Sequence, residues 1–441
     1  MRMSPICPML YPSRVSHPSA LPAISRSTVG LLGWLTLFCL SAPVPSTVGA
    51  EPAVAPYFPP PDSEGGWRTL RDPGAIRELA GMDPEKLEQA YQAVQRAQNP
   101  NGGLLVVRNG YLVFEKYFGK AHRNGNPDMA STGKAYTSIA CGIMLEEKRA
   151  AFPDGLDQKV YTEKYLPEAF PLDDPRKADI TLGQLLCMTS GHHGEGGSPS
   201  GIRNGEQIPL KPVPGQDVRN VDGSSLRVPL WTEPGSGYSY SSPAPHIASM
   251  VLRRATGMEL QDFIDQRLAK PMGWGPWGYC LHRGDITMDH TNGAGSIAVH
   301  ATDALRFGYC LLRNGRWGTK QLVPADYIAL CNKSLPINKH TPYSLMFEHN
   351  ADGHIIAAPK DAYFKNGSGG FCLYVVPSLD LIIYKLGGTD GQHNPALTGL
   401  PQETDNFGTR AERSTAPRPP GFFEGASDRR ILEMVCNAVR N

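Results

Sequence analysis

The chain has little charge and no excess of either sign. Asp, Glu, Lys and Arg make up 19% of its 441 residues, against roughly a quarter in average proteins. Its 43 basic residues nearly cancel 42 acidic ones, so no broad basic face is implied. Nucleic acid and anionic membrane surfaces are therefore not expected partners. Long apolar runs are missing too. The longest, residues 29–40, has twelve residues, short of the roughly 20 that cross a bilayer. Cysteine is sparse and unpatterned. Beyond residue 50 there are Cys141, Cys187, Cys280, Cys310, Cys331, Cys372 and Cys436, an odd number with no C-x-x-C, which gives neither a disulfide framework nor a zinc site spacing support and leaves room for one incidental disulfide. There is no G-x-S-x-G, no H-E-x-x-H, no Walker loop and no dinucleotide fingerprint, so neither a metal nor a cofactor is expected. His192-His193 with Glu195 nearby reads as a polar loop.

What is present suits a loop-rich globular protein. Gly (47) and Pro (40) together make about a fifth of the chain, below the roughly 25–30% that marks low complexity. The N-terminus reads as an address. Arg26 precedes the 29–40 run, and Val48-Gly49-Ala50 supplies small residues behind it, as in a secretory signal cleaved after Ala50. Residues 1–50 are thus expected to direct export to the periplasm or beyond and, once removed, to leave no stable membrane anchor. Residues 51–66 (EPAVAPYFPPPDSEGG) read as a stiff, unpacked Pro-rich linker.

Residues 67–441 read as a single domain. Asp83-Pro84-Glu85 opens a helix with Leu87, Ala90, Tyr91 and Val94 on its buried face. Two strand-like runs, 104–108 and 111–118, flank Asn109-Gly110, a strong hairpin signal. Near the other end, 372–376 and 379–386 are strand-like around Pro377-Ser378, and 427–439 is an amphipathic helix. The middle predicts helices over 180–188, 246–255 and 260–268, with 189–229 as one long Gly/Pro/Ser-rich loop. The fold class is therefore α/β (α+β): one antiparallel sheet built from both chain ends and flanked by helices, with a mostly helical lobe inserted. The α/β lobe spans about 67–125 and 295–441, and the helical lobe about 126–294.

Three short motifs carry chemistry. In Ser131-Thr132-Gly133-Lys134, a helix would set hydroxyl and amine one turn apart on one face. A serine is a poor nucleophile until a base takes its proton, and a desolvated lysine near another cation can serve as that base. S-x-x-K alone arises about once by chance in a chain this size. Tyr240-Ser241-Ser242 offers a phenol that nearby cations would tune for proton transfer. Lys365-Asn366-Gly367-Ser368-Gly369-Gly370, directly before a strand, offers a fixed cation and a glycine edge where a ligand can approach the backbone.

The order S-x-x-K, Y-S-x, K-x-G resembles the superfamily of serine β-lactamases, penicillin-binding proteins and β-lactamase-like esterases. The resemblance extends to 103–110, to Ile180-Thr181-Leu182 through Thr189-Ser190-Gly191, and to Ala294-Gly295-Ser296 followed by 302–308. It covers about 103–388 and implies a β-lactamase/transpeptidase-like fold. By matched position it implies Ser131 as acylated nucleophile, Lys134 as adjacent base and Tyr240 as proton-transfer partner. The backbone N–H groups of Ser131 and Ser368 would form the oxyanion hole, and Lys365, Gly367 and Ser242 would bind substrate. Three positions depart from the pattern: Gly133 lies inside the turn, Ser242 replaces an asparagine, and Asn366 replaces a threonine or serine. The Ser242 and Asn366 departures lean towards a general ester or amide substrate. A true β-lactamase, a D,D-peptidase and an inactive binding protein on the same fold are the alternatives. Whether Lys134 or Tyr240 is the base stays open, as does oligomeric state.

Overall fold

In a computed structural model of the chain, residues 57–97, 101–194, 199–280, 282–283, 286–388 and 428–440 are described. The signal segment expected over 1–50 lies outside them. A seven-stranded sheet forms the centre. In chain order its strands are β1 (Gly102–Arg108), β2 (Tyr111–Phe118), β3 (Tyr343–Ser344), β4 (Phe347–His349), β5 (Tyr363–Gly367), β6 (Phe371–Val376) and β7 (Leu381–Leu386). They lie in the order β3-β4-β5-β6-β7-β1-β2, antiparallel throughout. Both chain ends thus meet in one sheet, through the pairing of β1 with β7.

Alternation along the strands explains why both faces are apolar. Leu105, Val107, Leu373, Val375, Ile382 and Tyr384 join one core with helices α2 (Gly133–Glu147) and α5 (Ala301–Leu312). Leu104, Val106, Phe364, Tyr374, Val376 and Ile383 join another with α1 (Pro84–Ala97) and α6 (Asp428–Cys436). A sheet covered on both sides needs continuous hydrophobic strands, and β6 and β7 are buried along their whole length. The inserted lobe contributes α2, α3 (Leu182–Leu186) and α4 (Pro243–Thr256). Helix α3 opens with a Thr181/Gln184 capping box, and α4 opens on Pro243 and ends at Gly257 with φ 72°. Among the described residues no helix is long and apolar enough to cross a membrane.

The structure departs from the sequence reading in three places. Residues 57–66 are not a free linker. Arg306, 1% exposed, donates to the Pro60 carbonyl at 2.6 Å and to Asp62 at 2.5 Å, and Phe58 packs edge-on against Tyr309 and Trp317. The stretch is docked on α5 and on Trp317 just beyond it. The 189–229 excursion also contains structure: a hairpin, Ser200–Arg203 with Glu206–Pro209, and a short helix, Val221–Leu226. Its turn is Asn204-Gly205, both at positive φ, the same signal as Asn109-Gly110. Helix α4 starts at Pro243 rather than 246, since proline is favoured in the first turn. All seven cysteines among the described residues are buried, and none of them forms a disulfide with another.

Candidate active site

Ser131 sits in a single tight turn, Ala130–Thr132, that runs into α2. Ala130 before it has φ 48°, a left-handed conformation uncommon without glycine. Its neighbours hold it there: the Asp128 carboxylate accepts from the Ala130 N–H at 2.8 Å, and the Ala130 carbonyl accepts from the Ser296 N–H at 3.2 Å. The turn leaves the serine half-buried at the start of the helix.

Lys134, one turn on, is 1% exposed. Its Nζ donates to Ser131 Oγ at 2.9 Å, to Ser242 Oγ at 3.1 Å and to the Ala294 carbonyl at 2.6 Å. Ser242 is the residue before α4, and its hydroxyl makes no capping bond there. Tyr240, two residues earlier, faces the same point. Its phenol accepts from Lys365 Nζ at 3.3 Å, and the ammonium groups of Lys134 and Lys365 lie about 5 Å from its ring, at 5.1 and 5.0 Å. Burial alone would push this phenol up. The charges of Lys134 and Lys365 outweigh it and bring the phenol down to about 8.

Strand β5 closes the site. Strand alternation points Lys365 and Gly367 to the serine side and Asn366 to the opposite face. There Asn366 Nδ2 donates to Asp428 of α6 at 3.0 Å, beside the 2.5 Å pair of Lys385 with Asp428, while Asn366 Oδ1 accepts from Lys365 Nζ at 3.3 Å. A Cβ on Gly367 would stand 2.2 Å from the Met129 carbonyl and 2.9 Å from Thr132 N. Only glycine lets this edge press against the serine turn. The next residue, Ser368, is exposed.

Six of the residues singled out in the sequence thus come together: Ser131, Lys134, Tyr240, Ser242, Lys365 and Gly367. Ser368 follows directly at the strand end. The structure also resolves what Gly133 is for. A Cβ there would lie 2.9 Å from the Cα of Gly295, so the helix cost of glycine is the condition for that approach. One participant was not identified from sequence as a site group, the Ala294 carbonyl. It acts through its main chain, and Ala294-Gly295-Ser296 shows only the motif. His192, 1% exposed, bonds Tyr161 at 3.1 Å and Ser190 at 2.9 Å in a buried network away from these groups.

The model of the Beta-lactamase family matches residues 85–396. Among curated proteins, one from Salmonella paratyphi B named "Putative D-alanyl-D-alanine carboxypeptidase" is 25% identical over 218 residues. That match covers 45% of this chain and 48% of the relative, so the chain spans about half the length of the curated relatives it matches. The solved structure of EstCE1, described as a hydrolase with promiscuous acyltransferase activity, shares the fold at TM-score 0.55 and 17% identity, covering 81% of this chain and 98% of that one. A penicillin-binding protein homolog from Caulobacter crescentus does so at TM-score 0.50 and 13% identity, covering 70% and 93%. Family and fold together support a hydrolase of this clan. With the family model running over most of its length, the chain belongs to the beta-lactamase family.

Proposed function

We propose that this protein is an exported serine hydrolase that cleaves a simple ester or short amide through an acyl-enzyme on Ser131. The observation that carries the reading is Lys134 Nζ, 2.9 Å from the Ser131 hydroxyl and 5.1 Å from the ring of a phenol brought down to about 8. Ser131 Oγ attacks the substrate carbonyl as its proton passes to the Lys134–Tyr240 unit, whose members titrate together. The backbone N–H groups of Ser131 and Ser368 hold the oxyanion, each such donor supplying about 3–4 kcal/mol. Collapse of the tetrahedral intermediate breaks the bond to the leaving group, which takes up that proton. Water then attacks the acyl carbonyl, gives its proton to the same unit, and releases the acid and free Ser131.

Two features favour a neutral substrate over one with a carboxylate. The Asn366 side chain is engaged by Asp428 behind the strand, and the Ser242 hydroxyl is engaged by Lys134. Position 366 offers no hydroxyl to grip a lactam or peptide carboxylate, and position 242 offers no amide to recognise a lactam side chain. β-Lactam and D-alanyl-peptide hydrolysis form the second reading, favoured by the Lys365 cation at the cleft and the name of the Salmonella relative.

The test is labelling with a fluorophosphonate, followed by turnover of p-nitrophenyl acetate, nitrocefin and a D-Ala-D-Ala peptide. The expected result is an adduct on Ser131, lost in Ser131→Ala together with ester turnover. Folded protein that forms no adduct would favour a binding protein instead.

A further inference from the structure

A buried histidine–aspartate pair lies behind the turn that supports Lys134. His246, on α4, is 0% exposed. Its Nδ1 faces the Gly293 N–H at 3.3 Å and its Nε2 faces Asp222 Oδ1 at 2.8 Å. A backbone N–H can only donate, so Nδ1 is the acceptor and the ring proton sits on Nε2, donated to the carboxylate. Burial opposes the charge of Asp222. Hydrogen bonds from His246 and Arg253 nonetheless hold its carboxyl well below the usual carboxylate range, which keeps it an acceptor.

The turn itself is pinned residue by residue. Thr137 Oγ1, on α2 one turn past Lys134, donates to the Gly293 carbonyl at 2.7 Å. The Ala294 N–H donates to Asn292 Oδ1 at 2.9 Å. A Cβ on Gly293 would fall 2.5 Å from the Pro245 carbonyl, so the turn sits flush on the start of α4. What it presents to the site is the Ala294 carbonyl, 2.6 Å from Lys134 Nζ.

That carbonyl has a specific use in proton transfer. The Lys134 ammonium donates to Ser131, Ser242 and the Ala294 carbonyl; in the form of the coupled pair whose proton sits on Tyr240, the lysine is neutral, with two N–H donors and one lone pair. If the Ala294 carbonyl and Ser242 Oγ accept the two donors, the lone pair is left facing the Ser131 hydroxyl. We propose that His246 and Asp222 are positioning residues of the reaction: through Gly293 they hold the Ala294 carbonyl against Lys134 and so aim its lone pair at Ser131. The inference rests on the assignment of Ser131 and Lys134 made above.

Two variants of the full chain separate positioning from packing. His246→Asn places an amide oxygen near the Nδ1 position and keeps the acceptor for Gly293. His246→Gln reaches towards Asp222 but leaves the Gly293 N–H without its partner. With p-nitrophenyl acetate, His246→Gln is expected to lower kcat by about tenfold or more with KM nearly unchanged, as a misaimed group does. His246→Asn should recover kcat to within about threefold of the parent. Equal kcat in the two variants, or a loss confined to thermal stability, would overturn the proposal. Should His246→Gln fail to fold, Asp222→Asn takes its place. It weakens the partner that fixes the imidazole and is expected to lower kcat at unchanged KM, and an unaltered kcat would equally overturn the proposal. Fluorophosphonate labelling of the parent protein keeps the two levels apart. No adduct on Ser131 defeats the hydrolase reading, whereas an adduct with unaffected His246→Gln turnover defeats this inference alone.

Discussion

Gly133 and Gly295 meet with no room for a side chain between them: a Cβ on the first would stand 2.9 Å from the Cα of the second and 3.1 Å from an Ile297 methyl. Helix propensity alone would make alanine the better residue at 133, by up to about 1 kcal/mol. Overpacking costs about 1–3 kcal/mol and would push the 294–296 segment off Lys134. Gly133→Ala is therefore expected to lower both melting temperature and ester turnover. A variant more stable than its parent and equally active would show that the contact does not govern the site.

The pH profile reports on Tyr240. Its phenol is brought down to about 8 by Lys134 and Lys365, so the deprotonated base grows as pH rises through about 8, and kcat/KM should rise with it. Lys365→Met removes one of the two cations. The limb should then move to higher pH by on the order of one unit. A limb still centred near 8 in that variant would exclude Lys365 as the tuning charge.

The N-terminal strap and α5 share one buried cation. Arg306, 1% exposed, pairs with Asp303 at 2.7 Å and with Asp62 at 2.5 Å. Arg306→Leu leaves Asp303 buried without its partner, a loss expected to cost about 3–5 kcal/mol. Burial pushes Asp303 up to about 6 in the fold, above its ordinary value of 3.8, with Arg306 pulling the other way. A group raised in this way stabilises fully below its unfolded value and loses that contribution as pH rises through the folded one. The deficit of Arg306→Leu should accordingly be smaller at pH 5, where Asp303 holds its proton, than at pH 8. Urea midpoints at the two pH values check this.

The edge of β5 leaves no room for a side chain at Gly367. Gly367→Ala would set a methyl 2.2 Å from the Met129 carbonyl, so strand and serine turn must part. Turnover should fall about a hundredfold, the scale set by a displacement of roughly 1 Å at a reacting centre, while circular dichroism stays unchanged. Near-parent activity would mean that the strand end takes no part.

Much of the scaffold was legible because its signals are local. Asn109-Gly110 announces the first hairpin, Asp83-Pro84 starts α1, and the apolar runs of β6 and β7 match a sheet buried on both faces. Other elements escaped because a local cue was overruled or overlooked. At Pro243 the first-turn preference of proline was overlooked, so α4 begins three residues before the predicted 246. The prolines of 57–66 suggested a free linker, and its anchoring depends on Arg306, about 240 residues away.

The sequence by itself determined which reactive groups exist and on which kinds of element they ride, since motif spacing and hydrophobic period are properties of neighbouring residues. Only the tertiary structure decided how those groups meet. The phenol drops because two ammonium groups from distant segments flank it, Asn366 turns away because strand alternation aims it at Asp428, and Lys134 is held by the carbonyl of Ala294, a residue whose side chain carries no chemistry. Electrostatic and steric effects act through space, and no reading along the chain contains the distances on which they depend.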